Sequence, residues 1–579
     1  MPFAFLTINP SIGATKPHMT VESMPNQAGQ IRTDFVQFSN RAGLKLAACL
    51  DHCGDLQTRP WVIVAPKYGE TKKSNLQLAY HLVANGLNVL RFDPTNHVGE
   101  SDGAMLDFVL PGAVDDIIAS LDFLSACMGI ERVVMVANSL SSRCALRAAA
   151  LDQRITKLIN VAGVVNLLAT MSEIYREDIL TQYRQGRRWG VTDFLGLEVR
   201  GDAFLDSVVR SGMHDLAGTI ADAAKTGIPL VYFFAERDTW VRREEVAQVV
   251  AANPQARLVL VEAALHEVRE NPRAAEQLFR EIIWSCLQDT PFTPAVGDQL
   301  QVPPIKLVLA QNRRERERLR SADESAESET EFWSGYLGKY SILERSSDYQ
   351  EYLELLGRLA RPFRPGAVVL DAGCGGGLFG LWMLHETRLR ARNPTPAEPV
   401  VYVGLDLTER GLTEAMTRHL HSRRQSSPGA RPGLHYSRMD FDQLEGEGGT
   451  GRLPFADGTF DLICCSLVLS YLKNPGVLLR ELQRVLQPGG VLIASSMKPH
   501  CDLSVIYRDS IAGNVTDEEI DAGRNLLRAA GKIKLKEELG YYAFYSQTEL
   551  ASLATEAGFQ VDETHESLGG QAAVVKAVK

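Results

Sequence analysis

A glycine-rich turn at residues 368–377 constrains this chain more than any other feature. The stretch reads V-V-L-D-A-G-C-G-G-G, so a β-branched apolar run ends in an acidic residue and closely spaced glycines follow. Residues 378–384 then carry apolar side chains at helical spacing. This pattern predicts a strand, a tight turn and the start of a helix, with glycines that let a ligand approach the backbone. Because a complete α/β module must fit ahead of it, we predict two enzymes on one polypeptide.

Length and charge narrow the class of protein. A chain of 579 residues exceeds what one hydrophobic core normally supports, which favours two domains with a connector. The net charge of −10, without a basic patch that contains aromatic residues, argues against nucleic acid as the main partner. No apolar run is long enough to cross a bilayer, and residues 1–30 lack a signal-peptide pattern. We therefore expect a cytoplasmic protein with no membrane partner.

The cysteines point to a reducing compartment. All 9 are scattered, and none forms a C-x-x-C pair or a Cys/His ligand cluster. This usage predicts reduced thiols and no metal site.

Composition divides the chain into four parts. Residues 1–33 predict a flexible tail, and residues 34–290 alternate strands and helices, as in a mostly parallel, doubly wound sheet. Residues 291–330 contain a basic block followed by an acidic, serine-rich block, which predicts a solvated charged linker. Residues 331–579 alternate strands and helices again. The predicted fold class is therefore α/β, with two doubly wound domains.

The first stretch with chemical content surrounds Ser139. An apolar strand at 133–137 runs into N-S-L-S and then into a helix rich in Ala and Leu, which is the pattern of a nucleophile elbow. Ala137 and Ser141 stand where glycines are usual, so a serine that only caps the helix is an open alternative for this stretch alone. Asp238 and His266 each follow a later apolar strand, and the order Ser, Asp, His is the order that such hydrolases use. We predict that Asp238 orients His266 and that His266 accepts the proton of Ser139.

Residues 91–103, together with S-L-S at 139–141 and D-T-W-V at 238–241, resemble one branch of the α/β-hydrolases. This branch is the acyl-transferase (acyl-carrier-protein thioesterase) family of bacterial bioluminescence operons. The resemblance implies an α/β-hydrolase fold whose triad acts on long-chain acyl esters or thioesters, either free or attached to an acyl carrier protein. It also implies an oxyanion hole formed by the backbone N–H groups of Leu140 and Tyr68. Residues 167–225 would form a cap over the acyl pocket.

In the second half, three predicted strands end in acids, which are Asp371, Asp406 and Asp440. A dinucleotide enzyme is one alternative for the glycine loop. The spacing D-x-G-x-G-x-G is not G-x-G-x-x-G, however, and an acid ahead of the glycines would repel a pyrophosphate but suit a cationic amino-acid group.

This half also contains L-P-F-A-D-G-T-F-D at 453–461 and L-Q-P-G-G at 486–490, and it resembles class I (Rossmann-like) S-adenosyl-L-methionine-dependent methyltransferases. The resemblance implies S-adenosyl-L-methionine as cofactor. The residues that it places at the cofactor are Asp371, Gly373 and Gly375 at the methionine end, Asp406 at the ribose, and Asp440 and Phe441 at the adenine, with Gly377 and Leu407 as further cofactor-binding residues.

The sequence indicates the methyl-acceptor site less clearly than the cofactor site. Methyl transfer from a sulfonium can depend on orientation and desolvation without a dedicated base. His500 follows the fifth strand, where acceptor-side groups belong, and is a candidate general base against the alternative of an incidental loop histidine. Tyr336, Tyr340 and Tyr507 are candidate lid residues.

These observations predict a bifunctional enzyme: a serine hydrolase or acyl thioesterase joined to an O- or N-methyltransferase that acts on a small, acyl-derived metabolite. One alternative is that the second domain cyclises the cofactor's aminobutyrate chain instead of methylating an acceptor. Another is that the first domain is an inactive scaffold or a docking module for a carrier protein.

Overall fold

The computed structural model describes residues 7–8, 31–293, 297–322, 328–337, 344, 346–361, 364, 366–390, 399–425, 431–444, 451–502 and 516–579. The chain divides into two compact units. The first comprises Met1–Asp323 with Lys534–Gly540, and the second comprises Glu324–Ile533 with Tyr541–Lys579. Most of the tail predicted at residues 1–33 lies outside the described residues.

A nine-stranded sheet forms the centre of the first unit. The strands of this unit are β1 (Thr7–Ile8), β2 (Arg32–Ser39), β3 (Lys45–His52), β4 (Trp61–Ala65), β5 (Asn88–Phe92), β6 (Val133–Asn138), β7 (Ile155–Val161), β8 (Val191–Phe194), β9 (Leu197–Arg200), β10 (Leu230–Ala235) and β11 (Ala256–Val261). The large sheet has the order β1-β2-β3-β5-β4-β6-β7-β10-β11. β2 and β3 form the predicted antiparallel hairpin, and the strands from β5 to β11 in that order pair in parallel.

Helices of the first unit cover both faces of this sheet or belong to the segment between β7 and β10. They are α1 (Leu76–Ala84), α2 (Leu110–Met128), α3 (Leu140–Leu151), α4 (Leu167–Tyr175), α5 (Ile179–Arg184), α6 (Gly201–Arg210), α7 (Leu216–Thr226), α8 (Arg243–Ala251), α9 (Pro272–Leu287) and α10 (Ile305–Ala322). Apolar residues of α2, α3, α7 and α8 pack on one face, and those of α1 and α9 pack on the other. Two helical layers around a mostly parallel sheet are the doubly wound arrangement that the sequence predicts.

The segment between β7 and β10 contains the predicted cap. It includes α4, α5, the antiparallel β8–β9 hairpin and α6. α7 differs from the rest of this segment because Asp222 accepts hydrogen bonds from Arg143 and Arg147 of α3, each at 2.7 Å. α7 therefore belongs to the helical layer of the sheet, although the predicted cap extends to residue 225.

α10 lies in the stretch predicted as a solvated linker. Leu319 and Glu315 of this helix are buried, and Glu315 accepts two hydrogen bonds from the Arg91 guanidinium at 2.9 and 3.0 Å. Arg318 donates to Glu100 at 2.6 Å. The expectation of a fully solvated segment is therefore wrong for α10, because charges on this helix pair with charges of the first unit.

The second unit contains a seven-stranded sheet. Its strands are β12 (Val368–Ala372), β13 (Val401–Asp406), β14 (Gly433–Arg438), β15 (Phe460–Cys465), β16 (Leu486–Met497), β17 (Gln560–Ser567) and β18 (Ala572–Val578). The order is β14-β13-β12-β15-β16-β18-β17, and β18 runs antiparallel to both of its neighbours. The sequence patterns predict β12 to β16 but not the final β17–β18 hairpin.

Helices flank this sheet on both faces. They are α11 (Glu329–Leu337), α12 (Ser347–Leu359), α13 (Leu378–Arg390), α14 (Glu409–Arg424), α15 (Pro475–Val485), α16 (Asp517–Glu538) and α17 (Gln547–Glu556). α12 and α13 contribute to one core, and α15 and α17 contribute to the other. Ser546 and Glu549 form the predicted capping box at the start of α17. No described helix is both long and apolar enough to cross a membrane.

Candidate active sites

Ser139 lies in a sharp turn between β6 and α3. Its backbone has φ 52° and ψ −124°, a region that residues other than glycine rarely adopt. Ser139 N–H donates to the Val161 carbonyl at 2.9 Å, and the Ser139 carbonyl accepts from Val164 N–H at 3.1 Å. Bonds to β7 and to the residues after it therefore hold the turn in this strained conformation, as a nucleophile elbow requires.

A continuous chain of hydrogen bonds joins Ser139, His266 and Asp238. Ser139 Oγ lies 2.8 Å from His266 Nε2, and His266 Nδ1 lies 2.8 Å from Asp238 Oδ2. These residues follow β6, β11 and β10, whose carboxyl ends share one edge of the sheet. The structure thus brings together all three residues that the sequence predicts for a triad. In this geometry His266 can accept the Ser139 proton while Asp238 fixes the ring.

The surroundings of Asp238 and His266 fix both side chains. Asp238 Oδ1 accepts hydrogen bonds from Trp240 N–H at 2.8 Å and from Val241 N–H at 3.1 Å. The Trp240 ring stacks on the His266 ring with a centroid distance of 4.7 Å. The Asp238 side chain is fully buried, which strengthens its electrostatic interaction with His266.

The predicted oxyanion residues belong to two segments that a hydrogen bond joins. Leu140 begins α3, and Tyr68 lies in the loop after β4. Ser141 Oγ donates to the Pro66 carbonyl, which ties this loop to α3. Gly69 N–H donates to His97 Nε2 at 3.0 Å. Burial lowers the pKa of His97 to about 4, so the ring is neutral and available as the acceptor. The sequence places His97 only within a resemblance motif, without this role.

A ring of charges joins the loop after β4 to the loop that carries His266. Lys67 pairs with Glu267, and Arg269 donates to Glu267 at 2.8 Å and to Glu70 at 2.6 Å. Burial alone would lower the pKa of Arg269, but Glu267 and Glu70 raise it above its usual value. These residues are spread over about 200 positions of the chain, and no sequence motif marks them.

In the second unit, the glycine loop follows β12 as predicted. Gly373 has φ 83°, and a Cβ there would collide with the Val468 side chain. Gly377 has φ 79°, and a Cβ there would lie 2.7 Å from both Ala415 Cβ and His419 Nε2. Glycine is therefore needed at these two positions for different reasons. Gly373 keeps the backbone open toward a cavity, whereas Gly377 lets the loop pack against α14.

Two acids at strand ends are held in place by backbone and hydroxyl donors. Asp406 accepts hydrogen bonds from Gly375 N–H at 2.8 Å and from Thr408 N–H at 2.8 Å. Asp371 is buried and accepts from the Tyr402 hydroxyl at 2.8 Å. Burial raises the pKa of Asp371 to about 7, with Asp406 adding to the shift and Tyr402 opposing it.

A cavity of about 350 Å³ opens at this end of the sheet. The predicted cofactor residues that line it are Asp371, Gly373, Gly375, Asp406, Leu407, Asp440 and Phe441. Gly377 is not among the described lining residues, in keeping with its contact to α14. Cys374, Glu414 and Val468 also line the cavity, although the sequence patterns do not single them out.

An apolar wall forms the rest of this cavity. Trp333 and Tyr336 of α11 contribute aromatic rings, and Leu526, Ala530 and Ile533 of α16 contribute aliphatic side chains. The helical spacing of these α16 residues puts them on one face of that helix. Of the predicted lid residues, Tyr336 lines the cavity, whereas Tyr340 and Tyr507 lie outside the described residues.

His500 stands apart from these groups. It follows β16 with φ 58° and is not among the described residues that line the cavity. Its role as a base therefore stays a prediction. Within the part of the chain that the structure describes, no group of three or more His, Cys, Asp or Glu side chains is arranged to hold a metal ion.

The first unit, with its elbow and triad, has the α/β-hydrolase fold, and the second has the class I (Rossmann-like) methyltransferase fold. The predicted fold class is confirmed. Residues 57–280 match the family described as "Acyl transferase", and residues 344–564 match that described as "Methyltransferase domain". The chain is therefore a fusion of a hydrolase-like acyl transferase domain and a methyltransferase domain, and both are enzyme domains.

Relatives of each half are known. An acyl transferase of Photobacterium phosphoreum is 26% identical over 223 residues, which are 38% of this chain and 72% of the relative. Among solved structures, an esterase domain of a Rhodothermus marinus protein is 20% identical and covers 45% of this chain and 100% of its own, with a TM-score of 0.33. A SAM-dependent methyltransferase of Aquifex aeolicus is 16% identical and covers 41% of this chain and 97% of its own, with a TM-score of 0.26.

Proposed function

We propose that this chain is a bifunctional enzyme, a serine acyl thioesterase joined to an S-adenosyl-L-methionine-dependent O- or N-methyltransferase. The observation that carries the first activity is the unbroken hydrogen-bond chain Ser139–His266–Asp238. The observation that supports the second is the cavity at the glycine loop, where predicted cofactor residues and an apolar wall meet.

In the first unit, Ser139 Oγ attacks the acyl carbonyl carbon while His266 Nε2 takes the hydroxyl proton. His266 then gives that proton to the leaving thiol or alcohol, and the bond from the carbonyl carbon to the leaving group breaks. Backbone N–H groups of Leu140 and Tyr68 stabilise the negative oxygen of the tetrahedral intermediate. Apolar cap residues such as Phe194 and Leu197 suit a long acyl chain, either free or on an acyl carrier protein.

In the second unit, the residues present fit S-adenosyl-L-methionine. This cofactor supplies a methyl group on a positively charged sulfur, which is the electrophile of an in-line displacement. Asp371 provides a carboxylate for the cationic amino group, and the bare backbone at Gly373 leaves room for the methionine end. Asp406 is aimed by Gly375 and Thr408 and would accept from the ribose hydroxyls, with Phe441 beside the adenine.

The acceptor site would be the apolar wall. Trp333, Tyr336, Leu526 and Ile533 exclude water and orient a small, apolar, acyl-derived molecule, so that an oxygen or nitrogen atom faces the methyl group. Positioning and desolvation then supply much of the rate enhancement.

Mass spectrometry of products tests both activities in the full-length chain. A panel of medium- and long-chain acyl thioesters is incubated with and without S-adenosyl-L-methionine, together with Ser139→Ala and Asp406→Asn variants. We expect free acid with the wild type and a loss of about 10⁴-fold or more in acid release for Ser139→Ala. Asp406→Asn should lower cofactor consumption while acid release stays at the wild-type level. Equal acid release by wild type and Ser139→Ala would support an inactive scaffold. Methylthioadenosine in place of S-adenosylhomocysteine would support cyclisation of the cofactor.

A further inference from the structure

A small cavity lies directly beside Ser139 and His266. Its volume is about 30 Å³, which is room for about one or two water molecules. Asn75 also lines it, and Leu78, Phe279 and Ile282 form an apolar part of its lining. The cavity therefore brings Ser139 and His266 together with two asparagines, Asn75 and Asn138. Its lining also includes charged residues, which are Lys67, Glu267 and Arg269.

The amide nitrogen of Asn75 is the unusual group in this cavity. Asn75 is 2% exposed, and its Nδ2 has no hydrogen-bond partner among the described residues. Its Oδ1 accepts a long hydrogen bond of 3.4 Å from Asn138 Nδ2, which identifies Nδ2 as the group left over. A buried amide N–H without an acceptor costs stability unless something else accepts from it.

The position of Asn75 is fixed by its neighbours. It lies at the end of a 3₁₀ turn, Lys72–Asn75, and directly precedes α1. Arg269 donates to the carbonyl of Ser74 at 2.8 Å, which ties this turn to the loop that carries His266. The Asn75 amide is therefore held at a fixed place relative to the triad.

We propose that this cavity holds the water that hydrolyses acylated Ser139, and that Asn75 is the residue that positions it. The inference rests on the thioesterase activity proposed above. The Asn75 N–H would donate to the water oxygen, which leaves both water hydrogens free to be donated. His266 Nε2 is the acceptor beside it once acylation is complete, because the proton taken from Ser139 has departed with the thiol.

Deacylation by this water returns Ser139 to its free form. The water oxygen bonds to the acyl carbonyl carbon while His266 Nε2 takes one water proton. The bond between that carbon and Ser139 Oγ breaks, and Oγ regains a proton from His266. The products are the free carboxylic acid and the original serine. Asn75 takes no part in acylation, where the leaving group and not water occupies the site of attack. It therefore sets the partition of the acyl group between water and other nucleophiles.

Intact-protein mass spectrometry after rapid quench tests this in the full-length chain. With an acyl thioester as probe, Asn75→Ala should acylate at nearly the wild-type rate but lose acyl groups about tenfold more slowly, a loss typical of one hydrogen bond to a reacting molecule. The Ser139-linked acyl adduct should then accumulate. Added hydroxylamine should give more hydroxamate relative to free acid than in the wild type. Asn75→Ser, which keeps a donor, should recover part of the deacylation rate.

Gln77→Ala is the matched control, because Gln77 is an exposed residue two positions away on α1. It should leave both steps unchanged. Equal slowing of acylation and deacylation in Asn75→Ala and Asn75→Ser would overturn the inference in favour of a structural or oxyanion role. Unchanged deacylation in both variants would also overturn it. Absence of any acyl adduct and any free acid with the wild type would instead reject the proposed thioesterase itself.

Discussion

Arg91 and Glu315 form a bidentate ion pair in the interior of the first unit, with N···O distances of 2.9 and 3.0 Å. The Arg91 and Glu315 side chains are only 0% and 2% exposed. Asp51 is the second carboxylate on this guanidinium, at 2.6 Å. The two carboxylates and the guanidinium therefore neutralise one another's buried charge. α10 supplies one of these three groups, Glu315.

Replacing Glu315 should destabilise the first unit. Glu315→Gln removes a charge that balances buried Arg91, and the cost of such a change is about 3 kcal/mol. Glu317→Gln is the matched control because Glu317 is exposed on the same helix. Urea unfolding followed by tryptophan fluorescence would measure both. If Glu315→Gln unfolds at the wild-type midpoint, then α10 contributes little to the stability of this unit.

Cofactor affinity should depend on pH through Asp371. Its pKa of about 7 means that the carboxylate is largely protonated at pH 6 and ionised at pH 8. A cationic amino group binds the ionised form, so the affinity for S-adenosyl-L-methionine should rise by up to about tenfold from pH 6 to pH 8. Titration calorimetry in buffers of different ionisation enthalpy should detect proton release on binding near pH 6. Asp371→Asn should bind more weakly, with a flat pH profile.

Ionisation of Asp371, which favours cofactor binding, should lower the stability of the second unit when no cofactor is bound. The folded state holds the Asp371 proton more tightly than the unfolded state, where the pKa is 3.8, so stability falls as the pH rises from about 4 to about 7. Without cofactor, the second unit of the wild type should therefore be less stable at pH 8 than at pH 5 relative to Asp371→Asn. Thermal unfolding of both proteins at the two pH values measures the difference. An identical pH dependence in the two would contradict the raised pKa.

Tyr68 links the loop after β4 to the cap. Its hydroxyl donates to the Phe194 carbonyl at 3.2 Å, and its ring lies 5.0 Å from the Phe194 ring. Tyr68→Phe keeps the ring contact but loses the hydrogen bond, so kcat/KM for acyl thioesters should fall about three- to tenfold. Tyr183→Phe is the control, since Tyr183 donates to Asp206 within the cap. Equal activity of both variants would show that this bond does not help to position the loop.

Gly373 and Gly377 should respond differently to alanine. Gly377→Ala sets a Cβ against α14 and a side chain at positive φ, which should cost about 1–3 kcal/mol of stability. Gly373→Ala also places a side chain at positive φ, but its Cβ lies against Val468, which lines the cavity, so this variant should lose cofactor affinity in addition to stability. Thermal unfolding and calorimetric affinity of both variants separate the two effects. Equal losses of affinity and stability in both would contradict this division.

The sequence predicts the elements of both folds because their signals are local. An apolar strand followed by Ser139, or by Asp371 and glycines, is visible within about ten residues. The order of Ser139, Asp238 and His266 needs only the rule that parallel strands end at one edge. Gly373 and Gly377 look alike in the sequence, however, and only their tertiary neighbours distinguish them.

Other features depend on distant partners or lack a periodic signal. The Arg91–Glu315 pair joins positions 224 residues apart, so the charge run around Glu315 resembles a solvated linker. β17 is mostly exposed and polar, without the apolar alternation that identifies a strand. The Asn75 amide, which has no partner among the described residues, can be recognised only in the folded structure, where α1 and the His266 loop bury it.

The strained backbone at Ser139 also has a consequence for which residues are favoured at this position. A residue with a side chain at φ 52° and ψ −124° costs the fold about 1–3 kcal/mol, and glycine would remove most of that cost. Ser139→Gly should therefore be more stable than Ser139→Ala, which a comparison of melting temperatures would check. A lineage in which this unit no longer needed its nucleophile should drift toward glycine at position 139.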